Sequence, residues 1–252
     1  MIEVSGTHLL ILIAGSAALL LWGLLTYAVF TAFTVKRDKP ALAVGIGGSW
    51  LLAVVATQAI AVLGALLADR LPPGGGTPWR PALDFLALAM WLWGGMLYSL
   101  IMALIFYRLT FFRLAPEELT PPYWINMGAM AISTLAGALL IANARTAPLL
   151  AELLPFIKGI TLFYWAAGSW WIPLLLALGV WRHLVRRHPL RYDPLYWGAV
   201  FPLGMYAAGT HEMIAALRLD FLAFLPPLFF YAALAAWTAA FVGLLLGLRP
   251  KR

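Results

Sequence analysis

Long apolar stretches separated by short polar breaks run through the whole chain. A spanning helix needs about 20 mostly apolar residues at ~1.5 Å rise each. Seven stretches qualify, roughly 8–35, 41–68, 82–112, 121–144, 157–185, 194–217 and 220–248. The pattern predicts an all-α transmembrane protein, a single integral membrane domain over residues 1–252 with about seven spanning helices. The breaks carry start signals. Pro40, Pro81 and Pro122 stand at or just before first-turn positions, where a missing N–H costs nothing. Asp193 before Pro194, and Asp220 before the last span, read as N-caps. "DRLPPGGGTPWRP" reads as a flexible connector, and "TAPLLAELLPF", Thr146 to Phe156, as an interfacial helical turn.

One stretch breaks its own rule. "WGAVFPLGMYAAGT", Trp197 to Thr210, is apolar almost throughout, yet Pro202 sits near its middle behind Phe201. A proline there removes a backbone donor and crowds the previous turn.

Composition sharpens the class. The chain is 63% hydrophobic and 11% charged, with mean hydropathy +0.90. Soluble domains hold about a quarter charged residues, so this is a polytopic membrane protein. The absence of cysteine excludes disulfides, thiolate metal sites and cysteine nucleophiles. The +7 net charge lies in short runs between apolar segments, which read as topology signals rather than a nucleic-acid surface. "MIEVSGTHLLIL" lacks the basic n-region of a signal peptide.

Those runs set the orientation. One set of loops carries twelve cations: Lys36, Arg37, Lys39, Arg108, Arg113, Arg182, Arg186, Arg187, Arg191, Arg249, Lys251 and Arg252. The opposite side carries Arg70, Arg80, Arg145, Lys158 and Arg218. The positive-inside rule then puts the N-terminus outside and the C-terminus in the cytoplasm of a cell (inner or plasma) membrane.

Several chemistries are excluded. A retinal pump needs a lysine in its last helix, and Asp220 to Leu248 holds none; Lys251 lies beyond it. His8 and His211 read as interfacial, and His183 and His188 as facing water, so no haem pair is expected. There is no HExxH, G-x-S-x-G, Walker loop or paired intramembrane carboxylate. The expectation is a protein with no enzyme activity, cofactor or metal.

Polar groups within the spans are sparse. Gln58, Asn126, Ser133, Thr134, Thr161, Ser169 and Thr210 are neutral, and Glu212 follows His211 near the outer end of span six. Asp84 and Lys158 read as interfacial. The lack of a clear carboxylate or histidine relay favours passive or weakly coupled movement, with Glu212 keeping coupling open. Small residues cluster instead in "GIGGSW", "NMGAMAISTLAGA" and "GAVFPLGMYAAG" of spans two, four and six, either for close helix packing or to line a narrow pore. The odd-numbered spans carry the bulky residues, with Trp22, Trp91, Trp93, Trp170, Trp171, Trp181 and Trp237 expected to face lipid.

The blocks "GSWLLAVVATQAIAVLGALLA", "YWINMGAMAISTLAGA" and "WWIPLLLALGVWRH…YDPLYWGAVFPLGMYAAGT" resemble the tellurite-resistance/C4-dicarboxylate transporter family, the slow-anion-channel-like branch of the voltage-dependent anion channels. The resemblance implies ten helices as five hairpins around a pore, with kinked inner helices and a phenylalanine plug. By order, the seven spans here match the last seven of ten, so spans two, four and six are inner helices. Phe201 lands on the aromatic gate and Pro202 on the helix kink. The residues alone favour Phe201 as a lipid- or neighbour-packing aromatic. Gln58, Asn126, Ser133, Thr134 and Thr210 become candidate pore-lining residues. The three helices absent from the pattern are read as an incomplete N-terminus, with a truncated paralogue or a completing partner chain as alternatives.

The resemblance therefore implies transport of small anions: C4-dicarboxylate, tellurite or sulfite, or halide- and nitrate-like. The alternatives are a proton-coupled dicarboxylate or oxyanion exporter and a non-transporting subunit that stabilises a partner. The implied partners are small inorganic or dicarboxylate anions, membrane lipid and further copies in a homo-oligomer, by likeness a trimer, with no nucleic acid.

Overall fold

A computed structural model describes residues 6–71 and 79–247, with side chains from residue 14 onward. The His8 side chain, Lys251 and the glycine-rich part of the connector therefore lie outside what is described. The described chain is helical, and its long helices are α1 (Gly6–Val35), α2 (Leu52–Asp69), α3 (Trp79–Phe111), α4 (Ile125–Asn143), α5 (Leu154–Val180), α6 (Trp197–Leu217) and α7 (Leu225–Gly247). Six candidate spans among the described residues are long and apolar enough to cross a membrane; α6 is long enough but more polar. No described residue lies in a strand.

The chain divides into two compact units, Met1–Ala41 and Leu42–Arg252. The first is one 30-residue helix, α1, in which Trp22 meets Tyr27 edge-on at 6.5 Å. The second holds the other long helices.

Within that second unit α4 is central. Its most apolar window is 83% buried, against 28% for α5 and 11% for α7. It packs on α2, α3, α5 and α6, and α7 packs on α6. Glycines make the tightest seams possible. A methyl group at Gly209 of α6 would lie 2.5 Å from the Ala131 carbonyl oxygen of α4. One at Gly128 would lie 2.8 Å from the Pro202 ring. In lipid, where no hydrophobic drive joins helices, such close backbone approach supplies the packing.

Two of the expected starts differ. The stretch 41–68 does not run as one helix: a turn at Leu42–Gly45 breaks before a 3-10 turn, Gly48–Leu51, that leads into α2. Three glycines among Gly45 to Gly48 weaken a helix there, and a Cβ at Gly48 would sit 2.3 Å from the Pro122 carbonyl oxygen. Asp220 opens a 3-10 turn with Leu219 as its cap, rather than capping the last helix, which begins at Leu225. Asp193 does cap: its Oδ1 accepts the Leu195 N–H at 2.8 Å. The interfacial turn is present as Pro148–Glu152.

Two further expectations are corrected. Asp84 is 2% exposed and accepts from Asn143 Nδ2 at 3.0 Å, because α2 and α4 close over it. Trp91 and Trp171 are buried inside rather than facing lipid, at 0% and 4% exposure. Trp93, Trp170 and Trp237 are exposed on the outer surface as expected.

Candidate functional site

Helices α2, α4 and α6 share a way of starting. Each runs directly out of a 3-10 turn, at Gly48–Leu51, Pro121–Trp124 and Pro194–Tyr196 respectively. These turns pack together, with Pro122 between Gly48 and Gly198. Three helix N-termini, each a source of positive potential, therefore meet at one end of the second unit.

A strap of chain, residues 113–124, crosses that end and is pinned on both sides. On the α3 side, buried Arg108 donates from Nε to the Ala43 carbonyl at 2.6 Å and from one terminal nitrogen to the Tyr123 hydroxyl at 2.9 Å. Its other nitrogen lies 3.3 Å from Glu118 of the strap, and Glu118 also accepts the Ala115 N–H at 2.9 Å. On the α5 side, Arg182 donates to the Leu119 carbonyl, and His188 lies 3.6 Å from Glu117. His183 and His188 are half-buried rather than facing open water, because His183 Nδ1 bonds the His188 carbonyl at 3.0 Å. A pocket of about 260 Å³ lies by Arg108, Glu118 and Tyr123, and one of about 80 Å³ by Arg182, His183 and Tyr196.

Sequence reasoning treated Arg108 as a loop charge. The missed signal is its place inside the apolar stretch 82–112, in the last turn of α3, where a cation needs internal partners.

Phe201 is 37% exposed, and its face of α6 is defined by what covers the other faces. Pro202 and Gly209 meet α4. Thr210 accepts from Trp165 Nε1 of α5 at 3.1 Å, and the Tyr206 hydroxyl bonds Ser169 Oγ at 2.7 Å. Tyr206 also meets Phe229 of α7 at 4.3 Å, and Trp197 meets Trp237 at 6.4 Å. The stripe Phe201, Ala208, Glu212 and Ala215, spaced by one or two turns, is left open. On α2 the open stripe is Leu52, Ala56, Ala59 and Leu66, opposite the face that packs on α3.

The candidate pore-lining residues sit elsewhere on these helices. Gln58, Asn126 and Ser133 are fully buried, and Thr134 and Thr210 are 1% exposed. Gln58 Nε2 donates to the Trp91 carbonyl at 3.0 Å, and Trp91 Nε1 donates to the Ser133 carbonyl at 2.8 Å. One indole thus links α2, α3 and α4. Ser133 and Thr134 hydroxyls bond carbonyls of their own helix, at 2.7 and 2.8 Å. The Tyr98 hydroxyl donates to the Asn126 backbone carbonyl at 3.4 Å, while both Asn126 amide atoms are buried without a protein partner. The structure joins Gln58 to Ser133 through Trp91, sets Pro202 against Gly128, and brings none of the five to the Phe201 stripe.

Comparison with known proteins places these features. The sequence model described as voltage-dependent anion channel matches residues 3–245. An uncharacterized membrane protein of Mycobacterium tuberculosis, known from two strains, is 41% identical over 149 residues, 59% of this chain and 75% of the relative. Two uncharacterized transporters of Methanocaldococcus jannaschii are 25% identical over 198 residues, 78% of this chain and 53% or 52% of theirs. The chain thus spans about half the length of those two transporters. No solved structure matches it.

Proposed function

The chain belongs to the voltage-dependent anion channel family, a membership that carries anion transport across a membrane, and from that premise we propose that small anions pass along the open faces of α2 and α6 and that Phe201 closes this path. The observation that carries the reading is the placement of Phe201. It is partly exposed on the one face of α6 that α4, α5 and α7 leave free. A neighbour-packing aromatic would be covered by those helices, and one that only faced lipid would leave flux unchanged when truncated.

Pro202 removes a backbone donor one residue later, and the freed carbonyl is tolerable in a membrane where it lines a cavity. It bends α6 so that Phe201 can swing from the path. The walls are alanine and leucine and hold no fixed positive charge to trap an anion, Glu212 being the one ionisable group on the stripe, so anions that shed water easily pass best. Gln58, Asn126, Ser133, Thr134 and Thr210 reach the path only by backing it. Gln58 holds α2 on α3 and Thr210 holds α6 on α5, which keeps the gate helix in register. The Lys and Arg bias sets the starts of α2, α4 and α6 at the cytoplasmic mouth. Further copies, a trimer by family likeness, assemble around this unit. The substrates are halide- or nitrate-like anions, C4-dicarboxylates, or oxyanions such as tellurite and sulfite.

A proton-coupled exporter is the second reading, because Glu212 is exposed on the same stripe as Phe201, about three turns on. Anion flux into liposomes separates the two. With no pH gradient, Phe201→Ala should raise flux at least about tenfold, which is ~1.4 kcal/mol of barrier. Flux that needs the gradient and vanishes in Glu212→Gln would favour the exporter. No change in Phe201→Ala sinks the gate.

A further inference from the structure

Two arginines serve the strap, and their charges are treated differently. Arg108 is offset by Glu118 at 3.3 Å. Arg182 has no carboxylate within ion-pair distance among the described residues; it donates to the Leu119 carbonyl, and its Nε is buried without a partner. A guanidinium partly withdrawn from water and lacking a counter-charge calls for an anion.

The space for one is present. The cavity of about 80 Å³ beside Arg182 is lined also by Thr120, His183, Tyr196 and Gly179. The cavity has room for one small anion together with bound water. Hydroxyls of Thr120 and Tyr196 supply neutral donors. Arg182 and His183 stand on a π-helical turn, Trp181–Val185, a distortion that often marks functional sites. The adjoining 3-10 turn, Pro194–Tyr196, adds the N-terminal end of α6.

We propose that this cavity is an anion-binding site at the mouth of the protein, holding a halide, nitrate, sulfate or phosphate group on Arg182, Thr120 and Tyr196, separate from the path past Phe201. Because Arg182 holds the strap at Leu119 and Tyr196 opens α6, occupancy ties the strap to the helix that carries the gate. A free inorganic anion and the phosphate of an anionic lipid present the same chemistry to the guanidinium.

The test is equilibrium binding, independent of flux. The melting temperature of the purified protein is followed in neutral detergent as gluconate is replaced by chloride, nitrate or sulfate at constant ionic strength. A ligand that binds the folded state raises it saturably. Arg182→Gln should shift the half-saturating concentration at least about tenfold, the scale of one lost charge-assisted hydrogen bond. Gly179→Leu should do the same by filling the cavity, and a Cβ at Gly179 meets no atom within 4 Å, so the helix tolerates it. An Arg182-dependent rise with phosphatidylglycerol, absent with phosphatidylcholine and with free anions, supports the site and names lipid phosphate as its occupant. Titrations identical in wild type and both variants, or no saturable rise with any of these anions or with phosphatidylglycerol, overturn the site. A protein that binds at Arg182 yet carries no flux leaves this site standing and removes the channel reading instead.

Discussion

Replacing Gly128 with alanine tests the seam that supports the gate without touching Phe201. The added Cβ would lie 2.8 Å from both Cβ and Cγ of Pro202 and 3.1 Å from its Cα. Carbon contacts relax at ~3.5–4.0 Å, so α4 and α6 must part by roughly 0.7–1 Å there. A proline ring has no rotamer with which to move aside. Overpacking of this kind costs about 1–3 kcal/mol. For a chain of this size each kcal/mol lowers the melting temperature by about 2–4 °C. Gly204→Ala is the control, because its Cβ meets Ala233 Cβ at an ordinary 4.0 Å. Both substitutions carry the same helix-propensity gain of ~1 kcal/mol, so the difference between them isolates the clash. Thermal unfolding in detergent and anion flux in liposomes are the assays. Gly128→Ala should melt clearly below Gly204→Ala and alter flux, since the residue pushed is bonded to Phe201. Two variants that melt together and transport alike would refute the close α4–α6 seam and its link to the gate.

Two further outcomes follow from single residues. Trp91→Phe keeps an aromatic ring but loses the indole donor to Ser133, and should cost about 1–2 kcal/mol, whereas Trp91→Ala should cost about 3–5 kcal/mol; equal losses would show that the hydrogen bond, not the packing, carries the effect. Arg218 ends α6 with φ 57°, a left-handed conformation that favours glycine. Arg218→Gly should therefore raise stability by about 1 kcal/mol in the same melting assay, and a fall would point to an unrecognised role for its charge.

Length and apolarity alone located the long helices, because a bilayer demands about 20 apolar residues whatever surrounds them. Local chemistry likewise marked Asp193 as a cap, since capping depends only on neighbours along the chain. The proposal that Phe201 gates the path came only through the family resemblance. The facing of each helix was not readable. In water, a helix shows its core side by contrast between apolar and polar faces, but in lipid both faces are apolar and the contrast disappears. Trp91 and Trp93 look alike in sequence, yet one is the hub of three helices and the other is exposed. For the same reason Gln58 and Ser133 read as pore polar groups, while the fold uses them to join α2 and α4 through Trp91. Arg108 and Asp84 read as surface charges because their partners, Glu118 and Asn143, reach them only when helices pack. Membrane insertion was written in composition. Which side of each helix meets lipid, neighbour or anion was decided by glycine seams and side-chain bonds between distant residues.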